Sequence, residues 1–238
     1  FFLLNAVIWL VFFFVVVFIP FFRNGRMSYV DSAWPFGVAL IGILSFVMGD
    51  GDVLRKELVG GVYLFIGLRM GIGAITMANT TGVIFKSEFP RYQYRRMILE
   101  KSGAKHIELH ILVEIMVQAF ANISVLALPG FLIATNDSHS ISSLEIVGIC
   151  IWGTAYIFES IADGQKMLFI SKNKQGVCNI GLWRYSRHPN YFAEWMVWTG
   201  LVLAAIPSWL ALSTVEATHV WIALGVGAIN ASIMMYIT

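Results

Sequence analysis

Apolar and polar positions fall in long blocks along this chain, not in the short alternation of half-buried strands. Seven apolar blocks stand out: Phe1–Phe22, Tyr29–Met48, Leu58–Ala78, His106–Ala134, Leu144–Ile170, Tyr191–Ile206 and Ala217–Ile237. A spanning helix takes about 20 mostly apolar residues, because the hydrocarbon core is about 30 Å thick and a helix rises about 1.5 Å per residue. The blocks predict an all-α, polytopic integral membrane bundle of about seven transmembrane helices. The sixth is short enough to be tilted or shielded by protein. No polar stretch is long enough to hold a soluble domain, so residues 1–238 read as a single transmembrane domain. The first block exceeds the roughly 7–15 apolar residues of a signal-peptide core.

Composition agrees with that class: 58% of the 238 residues are hydrophobic and 13% charged, against about 25% charged in a soluble domain. The net charge of +2 says little until the charges are placed. Connections after the first, third and fifth blocks carry Arg23 and Arg26, then Lys86, Arg91, Arg95, Arg96, Lys101 and Lys105, then Lys166, Lys172, Lys174, Arg184 and Arg187. The opposite connections carry only Arg55 and Lys56, and Arg69 lies inside a span. Lys and Arg are retained on the cytoplasmic side during insertion, so thirteen basic residues against two make the odd connections cytoplasmic. Basic loops of this kind meet the headgroups of the lipid bilayer, and no nucleic acid is implied.

Several chemistries drop out. Cys150 and Cys178 have no metal-type spacing and imply no disulfide framework. There is no GxGxxG following a strand and no GxxxxGK[ST]. His106, His110 and Glu114 share a helix face, but HExxH is absent and no metal is expected. Gln118 and Asn122 continue that face, which reads better as interhelical hydrogen bonding or the wall of a polar pocket with Glu114. Gly67 and Gly71 read as close helix packing.

Three polar clusters remain as candidate sites. The strongest is GLWRYSRHPNYFAEW, residues 181–195. Pro189 suits the first turn of a helix, where its missing N–H costs nothing, and places His188 near the N-cap. The open N–H groups of such a helix start, with Arg184 and Arg187 just before it, favour an anion, and arginine offers phosphate a planar fork. Tyr185 and Tyr191 can stack on a planar ring. Asn190 and Glu194 are four apart and share a face. A positive-inside anchor with an aromatic belt would need no Asn and Glu entering the bilayer. The second cluster is Glu159, Asp163 and Lys166, with Gln165 alongside; a structural Asp163–Lys166 pair would leave Glu159 unexplained. The third is Asp31 and Trp34 at the start of the second span, with Arg69 in the third; Asp31 could supply the anion that Arg69 wants.

GLWRYSRHPNYFAEW, with the upstream Glu159-Ser-Ile-Ala-Asp163-Gly-Gln165, resembles one bacterial and eukaryotic branch of the steroid 5-alpha-reductase family. Val30-Asp-Ser-Ala-Trp34, Gly67-Leu-Arg69 and Phe89-Pro-Arg-Tyr-Gln93 extend the likeness over nearly the whole chain. The Arg-His-Pro core alone is also similar to membrane sterol reductases and to isoprenylcysteine and phospholipid methyltransferases. The resemblance implies a bundle of about seven helices that holds NADPH from the cytoplasmic side. It implies Asp163, Arg184, Tyr185, Arg187, His188, Asn190 and Glu194 as cofactor-binding positions, with Arg69 and Tyr92 in addition. Asp31 falls near the family's carbonyl-gripping glutamate. The family's tyrosine in the third span has no counterpart at Phe65 or Ile66, which argues against a steroid as such.

The expectation is therefore a membrane reductase that delivers hydride to an α,β-unsaturated carbonyl of a hydrophobic, steroid-like or lipid substrate. Asp31 would be its acid, and Trp34, Glu114, Gln118 and Glu159 would contact substrate. A methyltransferase using S-adenosylmethionine in the same pocket is the alternative. A non-catalytic subunit with partners in a membrane complex is the third reading. The expected location is the endoplasmic reticulum or another organelle membrane in a eukaryote, and the inner membrane in a bacterium.

Overall fold

The computed structural model describes residues 1–81, 87–172, 176–212 and 214–237; of the charges used above, Lys86 and Lys174 lie outside the described residues. Within the helices, the side chains of residues 77, 78, 80, 81, 214–216 and 234–237 are also outside the description. Every regular element among the described residues is a helix. They are α1 (Phe2–Asn24), α2 (Tyr29–Met48), α3 (Val53–Thr81), α4 (Pro90–Lys101), α5 (Ile107–Ala134), α6 (Ser143–Lys172), α7 (Pro189–Leu210) and α8 (Thr214–Ile237). Among these residues, α1, α2, α3, α5, α6 and α7 are long and apolar enough to cross a membrane, and α8 adds the shorter apolar stretch Ala217–Ile233. The protein is a polytopic helical membrane bundle.

Helix starts follow local chemistry. Asp52 accepts from the Leu54 N–H at 3.0 Å, so α3 begins at Val53 and takes in Arg55 and Lys56, which the hydropathy pattern had left in a connection. Ser142 and Glu145 form a capping box at α6, with Glu145 N–H to Ser142 Oγ at 3.2 Å and Ser142 N–H to Glu145 Oε2 at 2.7 Å. The basic segment read as a loop contains α4, which Pro90 opens at its first turn. Its charges hid it from an apolar pattern, although Arg, Gln, Met, Leu, Glu and Lys are good helix formers.

Two wide π-helical turns interrupt the spans, Phe14–Phe18 in α1 and Asn122–Leu126 in α5. Each lies just upstream of a proline, Pro20 or Pro129. A proline cannot donate to the carbonyl four residues back, and the wider turn absorbs that missing bond.

Contacts group the helices into two compact units, Phe1–Asp137 with Leu212–Thr238, and Ser138–Ala211. In the first, Trp9, Phe13, Val17 and Phe21 of α1 form one buried stripe against Val30, Ile111, Ile115 and Leu99 of α4. The opposite face of α1 leaves Leu3, Val11 and Phe22 exposed, as a lipid-facing surface requires. Gly67 lies against the α2 backbone, where an added Cβ would stand 2.3 Å from Ala39 N, in keeping with the close packing expected of it. Buried polar side chains donate to α5 carbonyls: Trp9 Nε1 to Ala119 at 2.9 Å, Tyr63 Oη to Leu126 at 2.7 Å and Asn230 Nδ2 to Val117 at 2.9 Å. The second unit is the α6–α7 hairpin, closely packed where Gly200 meets Trp152 and Gly148 meets Ala204.

Candidate functional site

In the first unit, α4 lies against the start of α2. Glu88, just before α4, accepts from the N–H groups of Met27 at 2.6 Å and Ser28 at 2.9 Å, and from the Ser28 hydroxyl. It therefore ties the chain just ahead of α2 to the start of α4 from 60 residues away in sequence. That register puts Asp31, in the first turn of α2, beside α4. The Tyr92 hydroxyl donates to Asp31 Oδ1 at 2.8 Å, and Arg91 forms an ion pair with the same oxygen. Arg91 Nη2 also reaches Tyr92 Oη at 3.2 Å, and its guanidinium lies 4.8 Å from the Tyr92 ring centroid. Asp31 Oδ2 is buried with no hydrogen-bond partner among the described residues. Burial, and then the negative charge of Asp31, push the Tyr92 phenol well above its ordinary pKa. Burial works against the Arg91 charge, but Asp31 and Tyr92 together outweigh it and raise the guanidinium pKa.

The other expected residues of this unit are more scattered. Arg95 grips Glu114, with Nε and Nη2 each 2.7 Å from Oε1, so Glu114 serves as an interhelical partner. Trp34, Arg69 and Gln118 are half-buried on α2, α3 and α5. Tyr63, which the sequence comparison passed over in favour of Phe65 and Ile66, is fully buried in the third span, its hydroxyl on the Leu126 carbonyl. Among the described residues, no group of three His, Cys, Asp or Glu is placed to hold a metal.

In the second unit, the segment before α7 is strapped onto α6. Leu182 N–H donates to Gln165 Oε1 at 2.8 Å, and Trp183 Nε1 to the Ala162 carbonyl at 2.7 Å. Lys166 sits 4.7 Å over the Trp183 ring, away from the Asp163 pairing considered from sequence. Gly181 makes the strap possible: its φ is +52°, and a Cβ there would lie 2.4 Å from the Gln165 carboxamide. Pro189 then opens α7 with His188 at the N-cap, as its position in the motif implied, and no side chain caps the helix start. The His188 ring stacks on Tyr191 at 5.2 Å. Arg184, Tyr185, Arg187 and His188 are all exposed around this end.

One turn into α7 the polar groups become enclosed. Asn190 Nδ2 donates to Asp163 Oδ1 at 3.1 Å, while Asn190 Oδ1 is buried with no hydrogen-bond partner among the described residues. Glu194 shares a side-chain hydrogen bond with Trp198, one turn further on. Glu159 is buried on α6, one turn before Asp163. A separate groove of about 490 Å³ runs between α6 and α7, lined by Ile146, Cys150, Thr154, Phe158, Phe192 and Met196. Its walls are apolar apart from the Thr154 hydroxyl and the Cys150 thiol.

The fold thus gathers Asp31 with Tyr92 in one unit, and Asp163 with Asn190 at the start of α7 in the other. Sequence reasoning missed Glu88, Arg91 and Trp198. The spacing of four from Glu194 could have found Trp198; no local signal points Glu88 or Arg91 at α2.

The family model described as "Protein of unknown function (DUF1295)" matches residues 5–233 of the chain. No curated protein and no solved structure matches it.

Proposed function

The chain belongs to the DUF1295 family, and from that premise we propose that it is an NADPH-dependent membrane reductase of the steroid 5-alpha-reductase type, acting on an α,β-unsaturated carbonyl of a hydrophobic substrate. One observation carries the reading: a helix start with no side-chain cap, preceded by exposed Arg184 and Arg187 and followed by an Asn190 whose carboxamide oxygen is buried and unpartnered. The donor set fits the cofactor. The arginines and helix start would take its phosphates, and exposed Tyr185 and His188 would flank its rings. Asn190 Oδ1 is the acceptor that a nicotinamide carboxamide N–H₂ lacks in an apolar setting. Asp163 holds Asn190 in that orientation, and Gln165 and Trp183 fix the strap that carries Arg184.

When bound, NADPH supplies the hydride for the β-carbon, and a proton must reach the other end of the conjugated system to leave a saturated carbonyl. Sequence reasoning gave the acid role to Asp31, whose Oδ1 holds Tyr92 and Arg91 while its buried Oδ2 has no hydrogen-bond partner among the described residues. The apolar α6–α7 groove, open to acyl chains, supports a hydrophobic substrate. The cofactor side is cytoplasmic, following the charge bias.

The test is deuteride transfer. Purified chain in lipid nanodiscs, given NADPH deuterated at C4 and a lipid enone, should place deuterium on the β-carbon. Methyl transfer from labelled S-adenosylmethionine, with no deuterium incorporated, would overturn the reading in favour of a methyltransferase.

A further inference from the structure

We propose that the groove between the end of α1 and the start of α5 binds one anionic phospholipid. The groove is built by Arg96. α1 ends in a left-handed Gly25 with φ +70°, whose N–H returns to the Phe21 carbonyl at 2.6 Å. From α4, Arg96 reaches the Gly25 carbonyl and chelates Glu108 in the first turn of α5, Nη1 to Oε1 at 2.6 Å and Nη2 to Oε2 at 3.2 Å. One guanidinium therefore ties the two helix ends together.

Beside this tie lies a hollow of about 650 Å³, bounded by Phe22, Arg23 and Asn24 on one side and Leu109 and Leu112 on the other. A second hollow of about 640 Å³ shares Glu108 and Leu109 with it and continues round to Lys105 and His106. The charges and apolar surfaces are ordered along it. Arg23, Lys105 and His106 stand at the end of the helices, and Leu112 lies one turn deeper along α5. Phe22 and Leu109 are 66% and 57% exposed, an apolar wall directly beside these charges.

Charge complementarity selects the occupant. Glu108 is already neutralised by Arg96, so the net charge left along the rim is positive. Among the described residues, neither Arg23 nor Lys105 takes part in an ion pair, and both are exposed. A phosphate or glycerophosphate alone would satisfy these cations and leave Phe22, Leu109 and Leu112 uncovered. A phospholipid covers both, with its headgroup phosphodiester between Arg23 and Lys105 and an acyl chain along the apolar wall. The bilayer delivers such a ligand to this level of the protein.

The site can be read by native mass spectrometry of the full chain released from vesicles of phosphatidylcholine and phosphatidylglycerol in equal amounts. The expected result is one phosphatidylglycerol retained in preference to phosphatidylcholine. Combined Arg23→Gln and Lys105→Gln should lower that retention by on the order of tenfold, while Lys56→Gln in the first turns of α3 should leave it unchanged. Both substituted side chains are exposed, and circular dichroism checks that the fold is kept. Phe22→Ser with Leu109→Ser should also release the lipid, although every cation remains. Equal retention of the two lipids, or no loss in the Arg23/Lys105 variant, would overturn the proposal. So would full displacement of the lipid by soluble glycerol phosphate, which would mark a headgroup site only.

Discussion

Asn190 on α7 donates its Nδ2 hydrogen to Asp163 on α6 at 3.1 Å, across 27 positions of sequence, and leaves its own Oδ1 buried with nothing to accept. A half-satisfied carboxamide in an apolar setting costs about 1–3 kcal/mol. A ligand that donates to Oδ1 would recover that cost on binding.

The first prediction follows from the same face. Glu194, one turn along from Asn190, is hydrogen-bonded to Trp198. Glu194→Gln keeps a hydrogen-bonding group of similar size there. The cofactor reading expects hydride transfer and NADPH affinity to fall together, by about tenfold, with little change in melting temperature. A drop in thermal stability with unaltered affinity would leave Glu194 as an interhelical bond only.

Gly181→Ala tests the strap. A non-glycine residue in the left-handed region costs roughly 1–2 kcal/mol, and here its Cβ would also press on Gln165. Protease cleavage between α6 and α7 should accelerate several-fold, and NADPH affinity should fall because Arg184 is no longer held. Unchanged proteolysis would show that the segment is not fixed by Gln165.

Tyr92→Phe removes the hydroxyl that joins α4 to Asp31 while keeping the ring under Arg91. Loss of that bond should lower stability by about 0.5–1.5 kcal/mol, with NADPH affinity kept. The parent phenol also titrates late. Since its folded pKa lies above the ordinary value of about 10, its contribution to stability is present below that pH and is lost as pH rises through the folded value. Ultraviolet difference titration of parent against variant measures it. A tyrosine lost from the population ionising near pH 10 would contradict the clasp.

Orientation is tested by cysteine labelling at positions 105 and 56, in a chain whose Cys150 and Cys178 have been changed to Ser. The charge bias expects membrane-impermeant reagent to reach 105 from the cytoplasmic side and 56 from the other. The reverse pattern would invert the assignment.

The spans were legible because each needs a block of about 20 apolar residues, which no other constraint disguises. The start of α7 was legible for a different reason: proline at the first helical position fixes its register, and His188 does fall at the N-cap. What the chain does not show locally is pairing at a distance. Asp31 looked like a partner for Arg69, but Tyr92 and Arg91 hold Oδ1, and both come from a helix whose charges conceal it from hydropathy. Glu114 read as an interhelical hydrogen bond or a pocket wall, and Arg95 of α4 makes it the former, a partner the local pattern did not name. These partners depend on Leu99 entering the core beside Phe13 and Ile111, a tertiary choice that no local pattern encodes.

The most direct measurement is equilibrium binding of NADPH and of S-adenosylmethionine to the purified chain and to its Arg187→Ala variant. NADPH should bind in the micromolar range, and S-adenosylmethionine should not displace it. Loss of one charge-assisted bond to phosphate, about 1.5–3 kcal/mol, should weaken NADPH by roughly ten- to a hundredfold in the variant. Equal NADPH binding by parent and variant, with S-adenosylmethionine competing for the site, would contradict the reductase reading.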